Sequence, residues 1–137
     1  MALTPTVLFD AMIILNAVTI SDHGNKVEIP FSVEDEDTTA FGQTWHNRVG
    51  GLKDAALNIT FLNDYVAANL DATTFALLGT VVTFEIRPTS GARSTSNPAY
   101  TGSVLINSWK PVAGDVGKLA TVDVSWPTSG TVSRQTA

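Results

Sequence analysis

Few side chains in this sequence could do chemistry. It contains two histidines, His23 and His46, and no cysteine. Neither histidine belongs to an H-x-x-x-H or H-E-x-x-H pattern of the kind that binds zinc, and without cysteine there is no thiol nucleophile or disulfide. No G-x-S-x-G elbow, P-loop or G-x-G-x-x-G motif is present. We therefore expect no catalytic residue, no metal and no cofactor, and predict that the protein is not an enzyme.

The densest charge in the chain is an acidic run formed by Glu34, Asp35, Glu36 and Asp37. Four carboxylates can coordinate calcium, but this run lacks the alternating ligands and the glycine of a calcium-binding loop. We favour a solvated entry to a loop, which keeps an exposed strand from pairing wrongly. An electrostatic role in assembly and, with least support from the spacing, a metal site are the alternatives.

A long loop is predicted over residues 34–51. Long loops in compact domains are usually functional or disordered. This loop contains Phe41 and Trp45, and large aromatic side chains in loops often anchor interfaces. We therefore hypothesise a subunit or ring interface at Phe41, Trp45, His46 and Arg48. The alternative is that the two aromatic side chains pack on the core of their own chain.

The elements that must position these residues follow from apolar alternation. Period-two patterns predict strands with one face in a core at residues 26–33, 54–61, 81–87 and 120–126. Residues 13–20 and 103–110 are also strand-like, with apolar residues on both faces, so both faces are expected to be covered. Residues 22–25 predict a hairpin turn, and turns or loops are also predicted at residues 89–98 and 114–117.

One short helix is predicted over about residues 71–78. Asp71 is placed as its N-terminal cap, because its carboxylate can accept backbone N–H bonds. Gly79 is placed as its C-terminal cap, because glycine adopts the left-handed conformation easily. Ala72, Phe75 and Leu78 recur at spacing three and predict an apolar stripe that packs on a sheet.

The pattern as a whole predicts a mainly β fold, a sandwich or barrel-forming sheets with one short flanking helix. We expect a single domain over residues 1–137, with an N-terminal arm at 1–12 and a C-terminal tail at 128–137. The tail is polar and is expected to be disordered alone or ordered by a partner. Trp109 and Trp126 fall inside strand patterns and are expected in the core.

Composition narrows the possible functions. Charged residues are 15% of the chain, below the usual share of about a quarter, which suggests a surface covered by further copies. The net charge is −5 and the eight basic residues are scattered, so tight nucleic-acid binding is disfavoured. The apolar N-terminus lacks the basic region of a signal peptide, and no apolar run is long enough for a membrane span.

From residue 52 onward, recognisable pieces follow in a fixed order. They are L-K-D at 52–54, N-D-Y at 63–65, D-A-T at 71–73, L-L-G-T at 77–80, N-P-A-Y-T-G at 97–102, S-W-K-P-V at 108–112, G-K-L-A-T-V at 117–122 and W-P at 126–127. This order resembles the tail tube (major tail) proteins of siphovirus-type bacteriophages. The resemblance covers roughly residues 52–134, and residues 1–51 carry less that matches.

The resemblance implies a structural virion protein. Six copies would form a ring whose strands join into a barrel around a channel, and rings would stack into a tube that carries DNA from the capsid to the host cell. It implies as partners further copies, the tape measure, the tail terminator and the distal tail protein, with synthesis in the bacterial cytoplasm and DNA passing without specific binding. We also expect an acidic channel face, and a loop and termini that reach adjacent subunits or rings.

Two alternatives stay open on the sequence. One is another phage structural component, such as a head–tail connector, a tail terminator or a capsid decoration protein, since these are also β-rich and cysteine-free. The other is a carbohydrate-binding β-sandwich module, which would display a row of exposed aromatic side chains on one sheet face.

Overall fold

The computed structural model describes all residues, Met1–Ala137. Nine strands and one α-helix follow one another along the chain. They are β1 (Met12–Leu15), β2 (Val18–Thr19), β3 (Gly24–Glu28), β4 (Phe31–Asp37), β5 (Arg48–Leu62), α1 (Leu70–Ala76), β6 (Val81–Arg87), β7 (Ala99–Leu105), β8 (Thr121–Pro127) and β9 (Ser133–Gln135). The predicted mainly β sandwich with one short helix is confirmed.

Two antiparallel sheets form the sandwich. The first sheet has the strand order β2-β1-β6-β7-β9. In the second sheet, β5 is central, with β8 on one edge and β3 and β4 on the other. The register of β3 on β5 continues unchanged into β4, since Val27 lies opposite Ile59 and Phe31 opposite Ala55. The strand predicted over residues 26–33 is therefore real, with a break at Pro30, which has no N–H to donate.

The core lies between the two sheets. Alternate residues of β5, namely Leu57, Ile59 and Phe61, are almost completely buried, because every second side chain of a strand points to the same face. Trp109 and Trp126 are buried as predicted. The Trp126 Nε1–H donates to the Ser108 carbonyl oxygen at 2.9 Å, which satisfies a polar atom that burial would otherwise leave unpaired.

The prediction that Asp71 caps the N-terminus of the helix is wrong. The helix begins at Leu70 and its N-cap residue is Asn69, so Asp71 lies two positions beyond the cap, inside the first turn. Its carboxylate instead accepts a hydrogen bond from Trp109 Nε1 at 3.0 Å. Gly79 has the predicted left-handed conformation, with φ of 86°, but it lies two residues beyond the C-cap Leu77.

The predicted apolar stripe of the helix faces the wrong way. Leu70 and Thr74 are buried against the core, whereas Phe75 and Leu78 are exposed. The inner face follows the four-residue spacing from Leu70 to Thr74, and Thr74 is polar, so apolar residues at spacing three do not mark this face. The helix thus leaves apolar surface in solvent. It is only 7 residues long, and the chain contains no helix that could span a membrane.

Two predicted turns lie elsewhere. Residues 22–25 do not form a hairpin turn, because β2 pairs with β1 and β3 pairs with β5. A single 3₁₀ turn, Ser21–His23, carries the chain from the first sheet to the second. The continuous strand predicted at 13–20 is broken by a tight turn at Asn16 and Ala17, whose φ angles of 51° and 64° fit the turn of a two-residue hairpin.

The end of the chain is more ordered than predicted. The strand expected at residues 103–110 is β7, which lies earlier, and Trp109 reaches the core from the following loop. The C-terminal tail adds β9 to the edge of the first sheet, where Tyr100 lies opposite Arg134. The main chain of this polar segment supplies the pairing, so an apolar pattern was not needed.

Candidate assembly surfaces

A long β-hairpin replaces the loop predicted at residues 34–51. Strand β4 pairs with the first half of β5 from Phe31 opposite Ala55 to Asp37 opposite Arg48, with a register shift between Val33 and Asp35. The acidic run is therefore part of a strand. Every residue from 31 to 54 is exposed, and we call this segment the long hairpin. The loop prediction was wrong because charges occur on both faces of β4, which removes the period-two signal.

The long hairpin extends far from the two sheets. Strand β4 has 7 residues, and a rise of about 3.3 Å per residue places its end about 20 Å from its beginning. The connecting residues 38–47 form what we call the hairpin tip. A two-stranded hairpin without a second layer is marginally stable at best in water. The long hairpin therefore needs order from elsewhere, either from its own polar contacts or from a neighbour.

Polar contacts organise the hairpin tip. The Thr39 N–H donates to Asp37 Oδ1 at 2.8 Å, and His46 Nδ1 lies 3.0 Å from Asp37 Oδ2. The Asn47 N–H donates to Thr39 Oγ1 at 2.9 Å. The Thr39 hydroxyl and backbone hold the pKa of Asp37 below its usual value, with a smaller contribution from His46. The tip therefore has one defined shape although it is fully solvated.

The predicted interface residues divide into two kinds. Phe41 is fully exposed and Trp45 is 84% exposed, so neither packs on the core of its own chain. His46 is held by Asp37, and Arg48 Nε lies 3.6 Å from Asp35 Oδ2. His46 and Arg48 therefore contact carboxylates of their own hairpin, whereas Phe41 and Trp45 are presented to solvent.

An apolar groove opens at the base of the long hairpin, between the two sheets. Its volume is about 430 Å³, and seven of its nine lining residues are hydrophobic. Five of the lining residues are Leu8, Val27, Ile29, Phe31 and Tyr100. The rings of Phe31 and Tyr100 lie 6.2 Å apart. Sequence reasoning missed this groove because it joins side chains from both sheets and from the N-terminal arm.

The N-terminal arm, residues 1–11, forms no strand or helix. Its side chains Leu3, Val7 and Phe9 are exposed, and Leu8 borders the groove while remaining partly exposed. The arm is tied down at Asp10, whose Oδ2 accepts a hydrogen bond from Ser90 Oγ at 2.7 Å. The exposed apolar residues of the arm form a second surface that the fold of one chain leaves uncovered.

The outer face of the second sheet is polar. Its central residues alternate with the core residues of β3, β5 and β8, and they are Lys26, Glu28, Asn58, Thr60, Asp123 and Ser125, with Ala56, Pro127, Leu62 and Thr121 at the two ends of the face. Thr60 Oγ1 donates to Asp123 Oδ1 at 2.7 Å, and Ser125 Oγ donates to Asn58 Oδ1 at 2.6 Å. Both edges of this sheet are open along β8 and along β3 and β4, which pair only with β5, and the β8 edge is closed just beyond the strand, where Thr128 bridges to Val104 of β7.

His23, which lies within the segment 22–25 that predicts a turn, is held by two carboxylates. Its Nδ1 lies 2.9 Å from Asp22 Oδ1 and its Nε2 lies 3.2 Å from Asp64 Oδ2. Hydrogen bonds from the Val66 backbone, from Asn69 and from His23 hold the pKa of Asp64 below its usual value. These contacts tie the 3₁₀ turn to the segment before the helix. No group of three or more His, Asp or Glu side chains in the chain converges as a metal site.

These features define a β-sandwich with a polar outer sheet face, two open sheet edges and a long exposed hairpin. No protein-family model matches the chain, and no curated protein sequence is similar to it. Among solved structures, a chain of the virion of a native gene transfer agent (GTA) particle is similar with a TM-score of 0.72. The likeness covers 92% of this chain and 95% of that one, at 19% identity. Since identity is this low, the likeness shows a shared fold.

Proposed function

We propose that this chain is a non-catalytic structural protein of a phage-type virion, and that its copies form stacked rings of a tail tube. Two observations from different sources support the proposal. The fold resembles a chain of a gene transfer agent virion over nearly its whole length. The ordered pieces at residues 52–134 resemble tail tube proteins.

The long hairpin is the observation that carries the proposal. A single copy leaves residues 31–54 exposed, and it holds the hairpin tip, with Phe41 and Trp45, about 20 Å from Phe31 at the base of the hairpin. Exposed strands and large apolar patches mark interaction surfaces or aggregation hazards. Charged side chains along β4 guard against indiscriminate pairing. In an ordered assembly the long hairpin can serve as a contact between copies, whereas in a monomer it would contact nothing but solvent.

The second sheet supplies the wall of the proposed channel. Its two open edges are different strands, so one edge of each copy can meet the opposite edge of the next. Such head-to-tail contacts generate rings when the rotation closes. Its outer face, with Glu28 and Asp123 beside a single Lys26, then lines the channel. A wall of hydroxyls, amides and carboxylates without a basic cluster has little to hold the phosphates of passing DNA.

The proposed location is the virion, after synthesis in the host bacterial cytoplasm. The proposed partners are further copies of the chain, and, by resemblance, the tape measure, tail terminator and distal tail proteins. No catalytic role is proposed. The two histidines contact aspartates in arrangements that hold a turn and a hairpin tip, and neither lines the groove.

Head–tail connectors, tail terminators and decoration proteins are the nearest alternatives, since likeness to one chain of a gene transfer agent virion does not distinguish among the structural roles in a virion. A carbohydrate-binding module is disfavoured by the outer face of the second sheet. That face presents short polar side chains where a row of aromatic side chains would be required.

Electron microscopy tests the proposal directly. The purified protein should form rings or hollow tubes in negative stain as its concentration rises. Single rings without stacking, or trimers that bind capsids, would instead favour the alternative virion roles. A protein that stays monomeric at every concentration, also beside the other tail components, would refute the proposal.

A further inference from the structure

We infer that the apolar groove is the docking site for the hairpin tip of a second copy, with Trp45 as the inserted side chain. The inference rests on the proposed assembly and adds the two surfaces that meet in it. A single copy has an ordered hairpin tip whose aromatic side chains are left in solvent. The tip is organised by hydrogen bonds around Asp37, yet it exposes two aromatic side chains, Phe41 and Trp45, that the core of their own chain does not cover.

Distance excludes the chain's own groove as the place for its tip. Phe31 lines the groove and is also the first residue of β4. The strand leads away from it for 7 residues, so at about 3.3 Å per residue the tip lies about 20 Å away. The extended pairing of β4 with β5 holds this separation. Only the tip of another copy can therefore reach the groove.

The groove matches an aromatic side chain in size and chemistry. A cavity of about 150 Å³ accommodates a benzene ring, and the groove offers about 430 Å³. An indole has room beside Phe31 and Tyr100, whose rings provide partners for tilted or edge-to-face packing. Val27 and Ile29 complete an apolar wall. Because the tip is already ordered, docking immobilises few additional side chains.

Charges flanking the two surfaces are complementary. Glu34 and Glu36 on the long hairpin form no ion pair within the chain. Beside the groove, Arg134 lies opposite Tyr100 on the neighbouring strand, and Lys53 lies two residues from the partner of Phe31. Both basic residues are exposed and neither forms an ion pair within the chain. The acidic hairpin of one copy therefore meets two unpaired basic side chains, Arg134 and Lys53, beside the groove of the next.

Tip and groove are separate surfaces, and every copy has one of each. A contact of this kind is head-to-tail, so it continues from copy to copy until it closes into a ring or extends into a filament. Such a contact agrees with the proposed tube. It also predicts that the tip and the groove of one copy contact two different neighbours.

Engineered disulfides test the inference, and the chain suits them because it has no cysteine. The variant with both Trp45→Cys and Tyr100→Cys should, when oxidised, give a ladder of species beyond the dimer on a non-reducing gel. Each single variant should give dimers at most. The matched control, Trp45→Cys with Val116→Cys, places the second thiol at a fully exposed loop position outside the groove and should give no ladder.

A second pair guards against a folding defect at Tyr100. Leu8→Cys replaces Tyr100→Cys in it, because Leu8 borders the groove from the N-terminal arm and is already largely exposed. If neither pair gives a ladder while the same variants form rings or tubes, the docking inference is overturned and the proposed function stands. If unmodified protein forms no assemblies at all, the proposed function fails. A ladder from Leu3→Cys with Tyr100→Cys, without one from Trp45→Cys, would assign the groove to the N-terminal arm and overturn the inference.

Discussion

Replacing Trp45 with alanine should separate assembly from folding. The side chain is 84% exposed in one copy and makes no contact with the core. Surface substitutions of this kind change the free energy of unfolding by about 0.5 kcal/mol or less. Truncating a buried aromatic anchor at an interface costs about 2 kcal/mol or more. A loss of about 2 kcal/mol weakens the affinity between copies about 30-fold, since about 1.4 kcal/mol is a factor of ten.

Each copy contributes one tip and receives one, so the loss applies once per added subunit. The concentration needed for assembly, measured by sedimentation with electron microscopy of the pellet, should therefore rise about 30-fold in Trp45→Ala. Urea unfolding of the dissociated subunit should give an almost unchanged midpoint. Phe75→Ala is the matched control, because Phe75 is also a largely exposed aromatic residue but lies on the helix, away from the groove.

The opposite pattern would refute this reasoning. An unchanged assembly concentration, together with a clearly lower free energy of unfolding, would mean that Trp45 stabilises its own chain. Equal losses in Trp45→Ala and Phe75→Ala would mean that exposed apolar surface acts without a specific groove.

Three further predictions concern the subunit itself. Trp126→Ala should lower the free energy of unfolding by about 3–5 kcal/mol, because the fully buried indole leaves a cavity and an unpaired Ser108 carbonyl, measurable by urea unfolding. Gly79→Ala should cost about 1–2 kcal/mol in the same assay, because φ is 86° there; an unchanged midpoint would contradict this assignment. The lowered pKa of Asp64 stabilises the fold above the ordinary value of 3.8, and this contribution is lost as pH falls through the lower folded-state pKa. Asp64→Asn should therefore be less stable at neutral pH and lose less stability on acidification, which an acid titration of the unfolding midpoint checks.

The sequence could predict the strands whose one face is buried by the same chain. The alternation at residues 54–61 and 81–87 agrees closely with the inner part of β5 and with β6, because burial between the sheets selects every second side chain. The two core tryptophans follow from the same reasoning. Hydrogen-bond partners distant in the sequence could not be predicted. The Asp71 carboxylate, for example, has the position of a helix cap in the sequence, but in the fold it accepts a hydrogen bond from Trp109.

Apolar alternation also fails to predict a strand that is held only by hydrogen bonds of its main chain. Strand β9 has no apolar periodicity, and it is ordered because its backbone extends the first sheet next to β7. The helix shows a related limit. Phe75 and Leu78 have the spacing of a buried stripe, but the fold of one chain places them outside.

The long hairpin shows what such failures mean for function. Apolar residues alternate along a strand when one face of that strand is buried by another part of the same chain. In β4, Phe31 and Val33 are followed by four carboxylates, and all of these side chains are exposed in one copy. If a neighbour covers the long hairpin, its apolar and acidic positions should correspond to the surface of that neighbour. The apolar groove with Arg134 at its side has this composition. The segment least predictable as a strand is therefore the one whose sequence is best explained by a second copy.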